Sequence, residues 1–494
     1  MMTRRFRRTL LVLASVAGVL GAAARGALAE GLAIVGATVV DGAAAPIPDA
    51  VVLINGDRIQ AVGSRAQVAL PKGTTIVDGR GKWVAPGLVD AHVHFFQSGG
   101  AYTRPDVVDL RKVRPYEREI ALLKAALPRT FARYLLCGVT SVVDVGGPFW
   151  NFEVRDAAAR TALAPRVAVA GPLVSTVARP DLDIGDPPIV KTATADEARA
   201  LVRRELERKP DLMKVWFVVR SLGNESLARS SNRGALRTPQ TPPASDDLAA
   251  GKALVAATVD EARKSGVRTA VHATELETAR AAVEAGADVL VHSVFDKAVD
   301  DAFVDLLKRR GVIYIPTLFV RTGYTLVLAG SFTPTPAERR WADPDVLATF
   351  EEVKSRPELT SRPRRAPDPE SDRVALQNLK RLSDAGVTIA AGTDAGNIGT
   401  LHGPSIFREL RLMADAGLTA REVLASATAG GARVMGREKD LGAVAPGKLA
   451  DLLILDRDPL VDVANLEAIH RVVKGGRVYT PEELARAAAG RPQP

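Results

Sequence analysis

From residue 86 onward, short apolar runs alternate with amphipathic stretches, and this alternation is the strongest constraint on how the chain folds. Strands that alternate with helices are typical of a parallel α/β architecture. Eight such units predict a TIM-type (β/α)8 barrel, in which functional groups lie at the carboxyl ends of the strands. The predicted strands are residues 87–94, 139–145, 166–170, 212–219, 269–273, 289–294, 312–318 and 388–394.

The amphipathic stretches predict helices, of which the clearest are residues 196–206, 276–285, 373–384, 405–416 and 419–430. Two long connections, residues 221–247 and 330–369, interrupt the regular alternation and are rich in Pro, Arg and polar residues. Long connections of this kind are usually lids over an active site or irregular loops. The sequence leaves open which of the two is a lid.

Short β-branched runs mark both ends of the chain. Residues 31–85 contain several of them, and Asn55-Gly56 between two of these runs is a hairpin turn signal. The β pattern returns over residues 441–455 and 472–478. Residues 481–494 are predicted to be a fraying tail.

The first 29 residues have the organisation of a secretory signal peptide. Four arginines lie within residues 4–8, a charge-free apolar run follows over residues 10–24, and Ala27-Leu28-Ala29 has the form of a cleavage site. The apolar run is short for a bilayer-spanning helix, so no stable membrane anchor is expected after cleavage. The mature protein is therefore predicted to be periplasmic or secreted, and the export route, Sec or twin-arginine, is left open.

Removal of this segment changes the charge of the chain. The formal net charge of +9 includes five arginines in residues 1–29, and the rest of the chain carries 61 basic and 57 acidic side chains. A surplus of this size is ordinary for a soluble surface, so no nucleic-acid partner is predicted. Cys137 is the only cysteine, which excludes an intrachain disulfide.

Side chains that bind metals lie on several of the predicted strands. His92 and His94 are two residues apart on the first strand, so they share one face and present two imidazoles to one point. Further candidate ligands, His272, His292 and Asp394, lie on three other strands, and Lys214 lies on a fourth apolar strand. Each has an ordinary structural explanation by itself, but together they predict a metal site built from imidazole and carboxylate rather than from thiolate.

The segment Pro-Gly-Leu-Val-Asp-Ala-His-Val-His-Phe, residues 86–95, resembles the first barrel strand of the amidohydrolase superfamily. More specifically, the chain resembles the imidazolonepropionase-like and Xaa-Pro dipeptidase (prolidase)-like members. Residues 441–455 resemble the C-terminal β-module of the same superfamily. The resemblance implies that residues 30–85 and 437–480 join into one small discontinuous β-sandwich domain, beside a hydrolase barrel formed by residues 86–436.

The resemblance also implies roles for the candidate ligands. Members with a lysine on the fourth strand carry it carbamylated between two metal ions, and Lys214 has that position here. Burial lowers the pKa of a lysine amine, which permits carbamate formation with CO2. Two divalent ions, for which zinc suits the ligand types, would be held by two sets of side chains: His92, His94 and Asp394 at one ion, and His272 and His292 at the other.

Such a site predicts hydrolysis. Metal coordination lowers the pKa of water to about 7, which makes a bridging hydroxide available at neutral pH, and a second ion polarises the scissile carbonyl. Asp394, besides binding metal, would take the proton from the attacking hydroxide and pass it to the leaving amine. The predicted reaction is hydrolysis of the C–N bond in a small dipeptide-like or cyclic amide.

Three side chains are candidates for binding the substrate. Arg220 follows the fourth strand and Arg321 follows the seventh, and either could bind a substrate carboxylate bidentately. His402 lies on the loop after the eighth strand, where loops carry specificity. Asp144 ends the second strand and fits either a supporting acid or a turn residue, whereas His470 is expected to be structural.

The sequence also departs from the prolidase-like members. They often read Val-His-Ala-His-Gly after the fifth strand, whereas residues 271–275 here read Val-His-Ala-Thr-Glu. These differences remove no candidate metal ligand, but they leave the physiological substrate open. The sequence also leaves open the identity of the metal and any homo-oligomer. The alternatives are a lactone or phosphoester hydrolase on the same site, an isomerase or decarboxylase, and a non-catalytic binding protein that keeps the barrel.

Overall fold

Both ends of the chain meet in one sheet of eight strands in the computed structural model, which describes residues 31–219, 245–356 and 368–490. The N-terminal part supplies β1 (Leu32–Val39), β2 (Ile47–Asn55), β3 (Arg58–Ser64), β4 (Thr75–Asp78) and β5 (Trp83–Pro86). β2 and β3 form an antiparallel hairpin in which Asn55 pairs with Arg58, so the predicted Asn-Gly turn is confirmed. Gly56 has a φ of +59°, which glycine adopts without steric cost.

Parallel strands form the centre of the fold. Within the described ranges they are β6 (Leu88–Val93), β7 (Val139–Asp144), β8 (Arg166–Val169), β9 (Leu173–Ser175), β10 (Ile189–Lys191), β11 (Leu212–Trp216), β12 (Arg268–His272), β13 (Val289–Val291), β14 (Ile313–Ile315) and β15 (Thr388–Ile389). One sheet has the order β6-β7-β8, and the other has the order β10-β9-β11-β12-β13-β14-β15. The α/β prediction and its eight strands are confirmed, although most strands are shorter than predicted. β9 and β10 are additions that the sequence pattern did not indicate.

β6 and the segment after β15 lie side by side. The Asp394 N–H donates to the His92 carbonyl at 2.7 Å, and the His94 N–H donates to the Ala395 carbonyl at 2.8 Å. Gly392 makes this approach possible, because a Cβ at that position would lie 2.8 Å from the His92 Cβ. The first and last parallel strands are thereby neighbours.

Helices pack on these strands through their apolar faces. In the part of the chain that the structure describes, they are α1 (Tyr116–Leu136), α2 (Asn151–Ala159), α3 (Ala195–Leu206), α4 (Ser245–Arg263), α5 (Leu276–Glu284), α6 (Asp301–Arg310), α7 (Val320–Leu328), α8 (Pro336–Trp341), α9 (Pro344–Lys354), α10 (Pro369–Asp384), α11 (Ser405–Asp415), α12 (Ala420–Ala425), α13 (Gly431–Val434) and α14 (Pro481–Ala488). α6 shows how local sequence sets the ends. The Asp300 side chain accepts from the Phe303 N–H at its start, and Gly311 ends it with a φ of +63°.

The predicted helices are confirmed with shifts of a few residues at their ends. The exception is residues 419–430, which divide into α12 and a π-helical turn (Ser426–Gly430) that continues into α13. A Cβ at Gly430 would lie 2.2 Å from the Ile389 carbonyl oxygen, so the turn packs directly on β15.

The C-terminal segment returns to the sheet formed by β1 to β5. It supplies β16 (Leu452–Leu455), β17 (Ile469–Lys474) and β18 (Arg477–Tyr479), in the order β18-β17-β16-β5-β1-β2-β3, with β4 beside β1. Ile34, Val84 and Ile454 are fully buried in one apolar cluster, so both chain ends share a core.

The prediction of a fraying tail over residues 481–494 is wrong for α14, while residues 491–494 lie outside the described ranges. Thr480 and Glu483 form a capping box at the start of this helix, which also begins with a proline. Its buried face packs on α1. Docking on a distant helix supplies the stability that a helix of two turns lacks by itself.

The two long connections are only partly described. Residues 330–356 contain α8 and α9, so the prediction of an irregular loop is wrong for this part. The remaining stretches, 220–244 and 357–367, lie outside the described residues, as does the predicted signal peptide, residues 1–29, and the predicted lid stays a prediction. Among the described helices, none combines the length and the hydrophobicity that a membrane-spanning segment requires.

Glu205 of α3 is a buried carboxyl without a hydrogen-bond partner among the described residues. Burial raises the pKa of Glu205 well above its ordinary value. The folded protein therefore binds this proton more tightly than the unfolded chain does, and stability falls as pH rises above about 4.3. We expect Glu205→Gln to raise the free energy of unfolding more at pH 8 than at pH 5, as measured by urea denaturation. The exposed Glu207→Gln is the control, and an equal effect of Glu205→Gln at both pH values would contradict this expectation.

Candidate metal centre

Three side chains at the ends of the first and last parallel strands converge on one point. The Nε2 atoms of His92 and His94 are 3.3 Å apart. Oδ1 of Asp394 lies 3.3 Å from the first of these nitrogens and 3.2 Å from the second. His92 is fully buried, and His94 and Asp394 are 7% and 5% exposed. The three donors therefore form a compact group that is shielded from bulk water.

These spacings fit ligands around one cation. Zinc–nitrogen bonds are about 2.0–2.1 Å long, and a tetrahedral arrangement at that length puts the ligands about 3.3 Å apart. Two unprotonated imidazole nitrogens at the observed 3.3 Å repel each other unless a proton or a cation lies between them. A divalent metal ion would satisfy both nitrogens and the carboxylate together.

A second pair of imidazoles lies beside this group. The ring centroids of His272 and His292 are 4.4 Å apart, and the His292 centroid is 5.0 Å from that of His92. Nδ1 of His292 also lies 4.0 Å from Oδ2 of Asp394. Ligand atoms of His92, His292 and Asp394 all fall within 4.8 Å of one another. The described residues thus form a candidate metal site that extends from β6 to β13.

Lys214 lies on β11 in the same region. Its side chain is 1% exposed, and its Nζ has no hydrogen-bond partner among the described residues. Burial lowers the pKa of Lys214 to about 7, and the nearby Asp394 carboxylate opposes that shift. A buried ammonium without a direct partner is costly. Burial therefore favours the neutral amine over the ammonium.

Burial also keeps the imidazoles of His92, His272 and His292 neutral. It lowers the pKa of His92 to about 3, and it lowers the pKa values of His272 and His292 well below the ordinary value of histidine. A neutral imidazole offers a lone pair to a metal ion. Neutral nitrogen donors beside a carboxylate are a donor set that suits zinc and related divalent ions.

Left-handed backbone conformations occur at three residues of this region. φ is +77° at His292, +59° at Asp394 and +44° at Thr317. Such conformations cost about 1–3 kcal/mol for residues other than glycine and cluster at functional sites. Oγ1 of Thr317 lies 2.7 Å from Nδ1 of His292. The left-handed backbone of Thr317 thus places a hydroxyl that fixes the orientation of the His292 ring. The position of Thr317 after β14 gave no sequence signal for this contact.

The turn after β7 orients His94. Its Nδ1–H donates to the Gly146 carbonyl at 2.7 Å, which leaves Nε2 free toward the site. The Asp144 carboxylate holds this turn, since it accepts from the Gly146 N–H at 3.2 Å and from Nδ2 of Asn151 at 2.7 Å. Asp144 thus supports His94 through the backbone.

We expect Asp144→Ala to weaken metal binding about 10- to 100-fold, because His94 would lose its fixed acceptor. Equilibrium dialysis against zinc or cobalt, followed by elemental analysis, measures the affinity. Asp288→Ala is the matched control, since Asp288 accepts from the Thr269 N–H at 2.9 Å at the opposite, amino end of β12. An unchanged affinity in Asp144→Ala, or an equal loss in the control, would contradict the supporting role.

A buried network that the sequence analysis missed holds Asp394. Nδ2 of Asn397 donates to Asp394 Oδ1 at 2.7 Å. Oδ1 of Asn397 accepts from the Tyr324 hydroxyl and, at 2.8 Å, from Nη1 of Arg104. Arg104 is itself paired with both oxygens of Asp106 at 2.7 Å. Asn397 is three residues after Asp394 and could have been found from that proximity, but its partners come from distant segments.

The predicted substrate residue His402 is engaged by protein groups. It is 8% exposed. Its Nδ1 accepts from the Tyr134 hydroxyl at 2.7 Å, and its Nε2–H donates to the Gln97 carbonyl at 2.8 Å. The ring also stacks on Phe95, with the centroids 5.5 Å apart. A substrate contact of His402 stays a prediction.

Of the two arginines predicted to bind substrate, the structure describes only Arg321. Arg321 forms an ion pair with Asp372, so its charge is already compensated within the protein. Arg220 lies outside the described residues. Their substrate contacts also stay predictions. His470 lies on β17, 3.4 Å from the Asp456 carboxylate and remote from the candidate ligands.

Comparisons with known proteins find similarity along most of the chain. The profile of the amidohydrolase family matches residues 83–479. A 95-residue stretch is 43% identical to the imidazolonepropionase of Streptomyces avermitilis, and it covers 19% of this chain and 22% of that enzyme. The match therefore spans less than a quarter of the imidazolonepropionase. An uncharacterized protein of Mycobacterium tuberculosis (strain H37Rv) is 24% identical over 425 residues, which cover 82% of this chain and 87% of that protein.

Solved structures also resemble this one. A Xaa-Pro dipeptidase with bound methionine superposes with a TM-score of 0.64 at 25% identity, covering 91% of this chain and 100% of that one. Molinate hydrolase superposes with a TM-score of 0.67 at 22% identity, covering 94% and 98% of the two chains. The ochratoxinase of A. niger gives 0.67 at 20% identity, covering 92% and 96%. The last two similarities concern the fold alone.

Proposed function

Because this chain belongs to the amidohydrolase family, we propose that it is an exported, metal-dependent hydrolase that cleaves the C–N bond of a small amide. One observation carries the proposal: the Nε2 atoms of His92 and His94 and Oδ1 of Asp394 lie 3.2–3.3 Å from one another. That is the spacing of ligands around one divalent ion. Their position at strand ends is where enzymes of this architecture place their chemistry.

The proposed site holds two divalent ions. The ligands would be His92, His94 and Asp394 for one ion, and His272 and His292 for the other, with zinc the ion that suits them. Lys214 would join both sets as a carbamate, and its neutral, unpartnered amine supports this. When bound, the ions would lower the pKa of water to about 7 and polarise the scissile carbonyl.

Asp394 would move the proton. Its Oδ1 accepts from Asn397, which leaves Oδ2, 4.0 Å from Nδ1 of His292, for proton exchange. Oδ2 would take a proton as water adds to the carbonyl carbon and would give it to the amide nitrogen as the C–N bond breaks. One water is consumed for each bond, and the products are a carboxylic acid and an amine.

The proposal includes the finer architecture. We infer that the parallel strands close into a (β/α)8 barrel. The hydrogen bond from Asp394 to His92 at one junction supports closure, as does a 2.9 Å hydrogen bond from the Asp211 N–H to the Val169 carbonyl at another. The sheet built from both chain ends would belong to the discontinuous β-sandwich domain.

Export of the protein is also part of the proposal. Residues 1–29 carry a basic start, an apolar run and a small-residue cleavage site. Their removal would leave the enzyme in the periplasm or outside the cell, without a stable membrane anchor. The mass of the protein recovered from the periplasmic fraction would test this directly.

The substrate proposed is a dipeptide-like or cyclic amide. The similar proteins named above include an imidazolonepropionase, a Xaa-Pro dipeptidase and a molinate hydrolase, so the names of its relatives span several substrates. A panel of different amides therefore has to be tested to identify the substrate.

Hydrolysis by the full-length protein, purified without chelators and loaded with metal, tests the proposal. The panel contains Xaa-Pro dipeptides, N-acyl amino acids and lactams. It also contains a lactone and a phosphotriester, which test the alternative hydrolase functions. We expect release of one amine for each C–N bond, loss of turnover with a chelator, and recovery with zinc or manganese. Turnover of only the lactone or the phosphotriester would overturn the C–N assignment. Stoichiometric ligand binding without turnover would favour a non-catalytic binding protein.

A further inference from the structure

Arg104 is a buried arginine that is connected to Asp394 of the metal centre by the side chain of Asn397. It is 8% exposed. Its Nε and Nη2 donate to the two oxygens of Asp106, both at 2.7 Å. Its Nη1 donates to the Tyr324 hydroxyl at 2.9 Å and to Asn397 Oδ1 at 2.8 Å. The bidentate pair with Asp106 fixes the plane of the guanidinium.

These contacts decide which way the Asn397 amide faces. A guanidinium can only donate, so the atom of Asn397 that faces Arg104 must be the carbonyl oxygen. The Tyr324 hydroxyl donates to that same oxygen. The amino group, which can only donate, is therefore turned to Asp394, and Nδ2 lies 2.7 Å from its Oδ1.

The carboxylate oxygen that Asn397 holds is the one that faces the imidazoles. Oδ1 of Asp394 lies 3.3 Å from Nε2 of His92 and 3.2 Å from Nε2 of His94. Oδ2 points toward His292. A carboxylate fixed at Oδ1 cannot exchange its two oxygens by rotation. One oxygen is thereby kept for the cation and the other for the proton.

We propose that Arg104 is a positioning residue for Asp394 and that it acts through the Asn397 amide. The inference rests on the proposed function, because it gives Asp394 both a metal-binding and a proton-carrying oxygen. Arg104 does not bind substrate in this arrangement, since each of its three guanidinium nitrogens is engaged by a protein group.

A double-mutant cycle between Arg104→Met and Asn397→Leu tests this route, with metal affinity and steady-state kinetics as separate readouts. Each single variant is expected to weaken metal binding about 10- to 100-fold, and to lower kcat more than it raises KM. Because both residues act along one route, the double variant is expected to be no worse than Asn397→Leu. Additive losses, or a loss in Arg104→Met confined to KM, would overturn the proposal, since a substrate-binding arginine would give that result.

Arg133→Met is the matched control. Arg133 is 4% exposed and is paired with Asp343 at 3.2 Å, so its replacement also removes a buried guanidinium from an ion pair. Its other acceptors are the carbonyls of Trp341 and Ala488, on the helical layer. We expect this variant to lose stability without losing metal affinity. An equal loss of metal affinity in the control would show that buried arginines act only through general stability.

A readout without metal separates this inference from the proposed function. Crystal structures of the metal-free wild type and Arg104→Met are expected to differ at Asn397, whose amide moves away from Asp394 in the variant. An unmoved Asn397 would overturn the positioning role even if the protein hydrolyses amides. A displaced Asn397 in a protein that binds no metal would support the positioning role and refute the metal-dependent hydrolase.

Discussion

Replacement of Lys214 by alanine is expected to lower the metal content of the purified protein from about two ions per chain to one or fewer. The side chain is 1% exposed and its Nζ lacks a hydrogen-bond partner among the described residues. In the proposed site, this amine binds the metal ions as a carbamate, and an alanine methyl group cannot do so. Amide hydrolysis is expected to fall more than about 100-fold, beyond the usual cost of losing a supporting group. Elemental analysis and initial rates, measured on the same preparation, check both expectations.

Lys474→Ala is the matched control for this change. Burial lowers the pKa of Lys474 to about 8, but this lysine has a carboxylate partner, Asp451, at 3.7 Å and lies on β17. Its replacement is expected to reduce stability and leave the metal content unchanged. Two ions retained in Lys214→Ala would show that Lys214 is structural. One ion in both wild type and variant would indicate a mononuclear site.

Replacement of Asp394 by asparagine is expected to lower kcat about 10³-fold or more. The amide keeps the shape of the carboxylate but has one oxygen, so it cannot bind a cation and carry a proton at the same time. With its oxygen turned to Nδ2 of Asn397, the amide has an amino group in the place of Oδ2, and an amino group cannot accept the proton. Rates with the best amide of the panel, at saturating metal, measure the loss in the chemical step apart from any loss in metal affinity.

Asp90→Asn separates this effect from the general loss of a buried carboxyl group. Asp90 is fully buried beside the site, and it accepts from the N–H of Thr393 at 3.0 Å and from its hydroxyl at 2.6 Å. Burial raises the pKa of Asp90 to about 7, so an amide resembles its neutral form. We expect a smaller rate loss here than in Asp394→Asn. Activity within tenfold of wild type in Asp394→Asn would refute its role as proton carrier.

Local patterns in the sequence determined the α/β class and the places of eight of the ten described parallel strands. The alternation of apolar runs with amphipathic stretches is itself the physical cause of strands covered by helices, so it can be read without a structure. The spacing of His92 and His94 likewise follows from the two-residue period of a strand. The observed strands end earlier than predicted, because the residues that follow β13 to β15 leave the sheet to carry functional side chains.

α14 shows local information that was present and overlooked. Thr480, Pro481 and Glu483 are a recognisable helix start. The sequence nevertheless predicted a tail, because a helix of this length is not stable alone. The contact with α1 that stabilises it is not written in the local pattern.

Only the tertiary structure decided how the side chains around the site are paired. Arg321 was a candidate for substrate binding by its position, but the fold places Asp372 against it. Arg104 attracted no attention in the sequence, yet it meets Asn397 and Tyr324 from segments far apart in the chain. The physical reason is that periodicity reports which face of an element is buried. The partner of a buried polar group depends on which loops meet at the strand ends, and that is set by the packing of the whole chain.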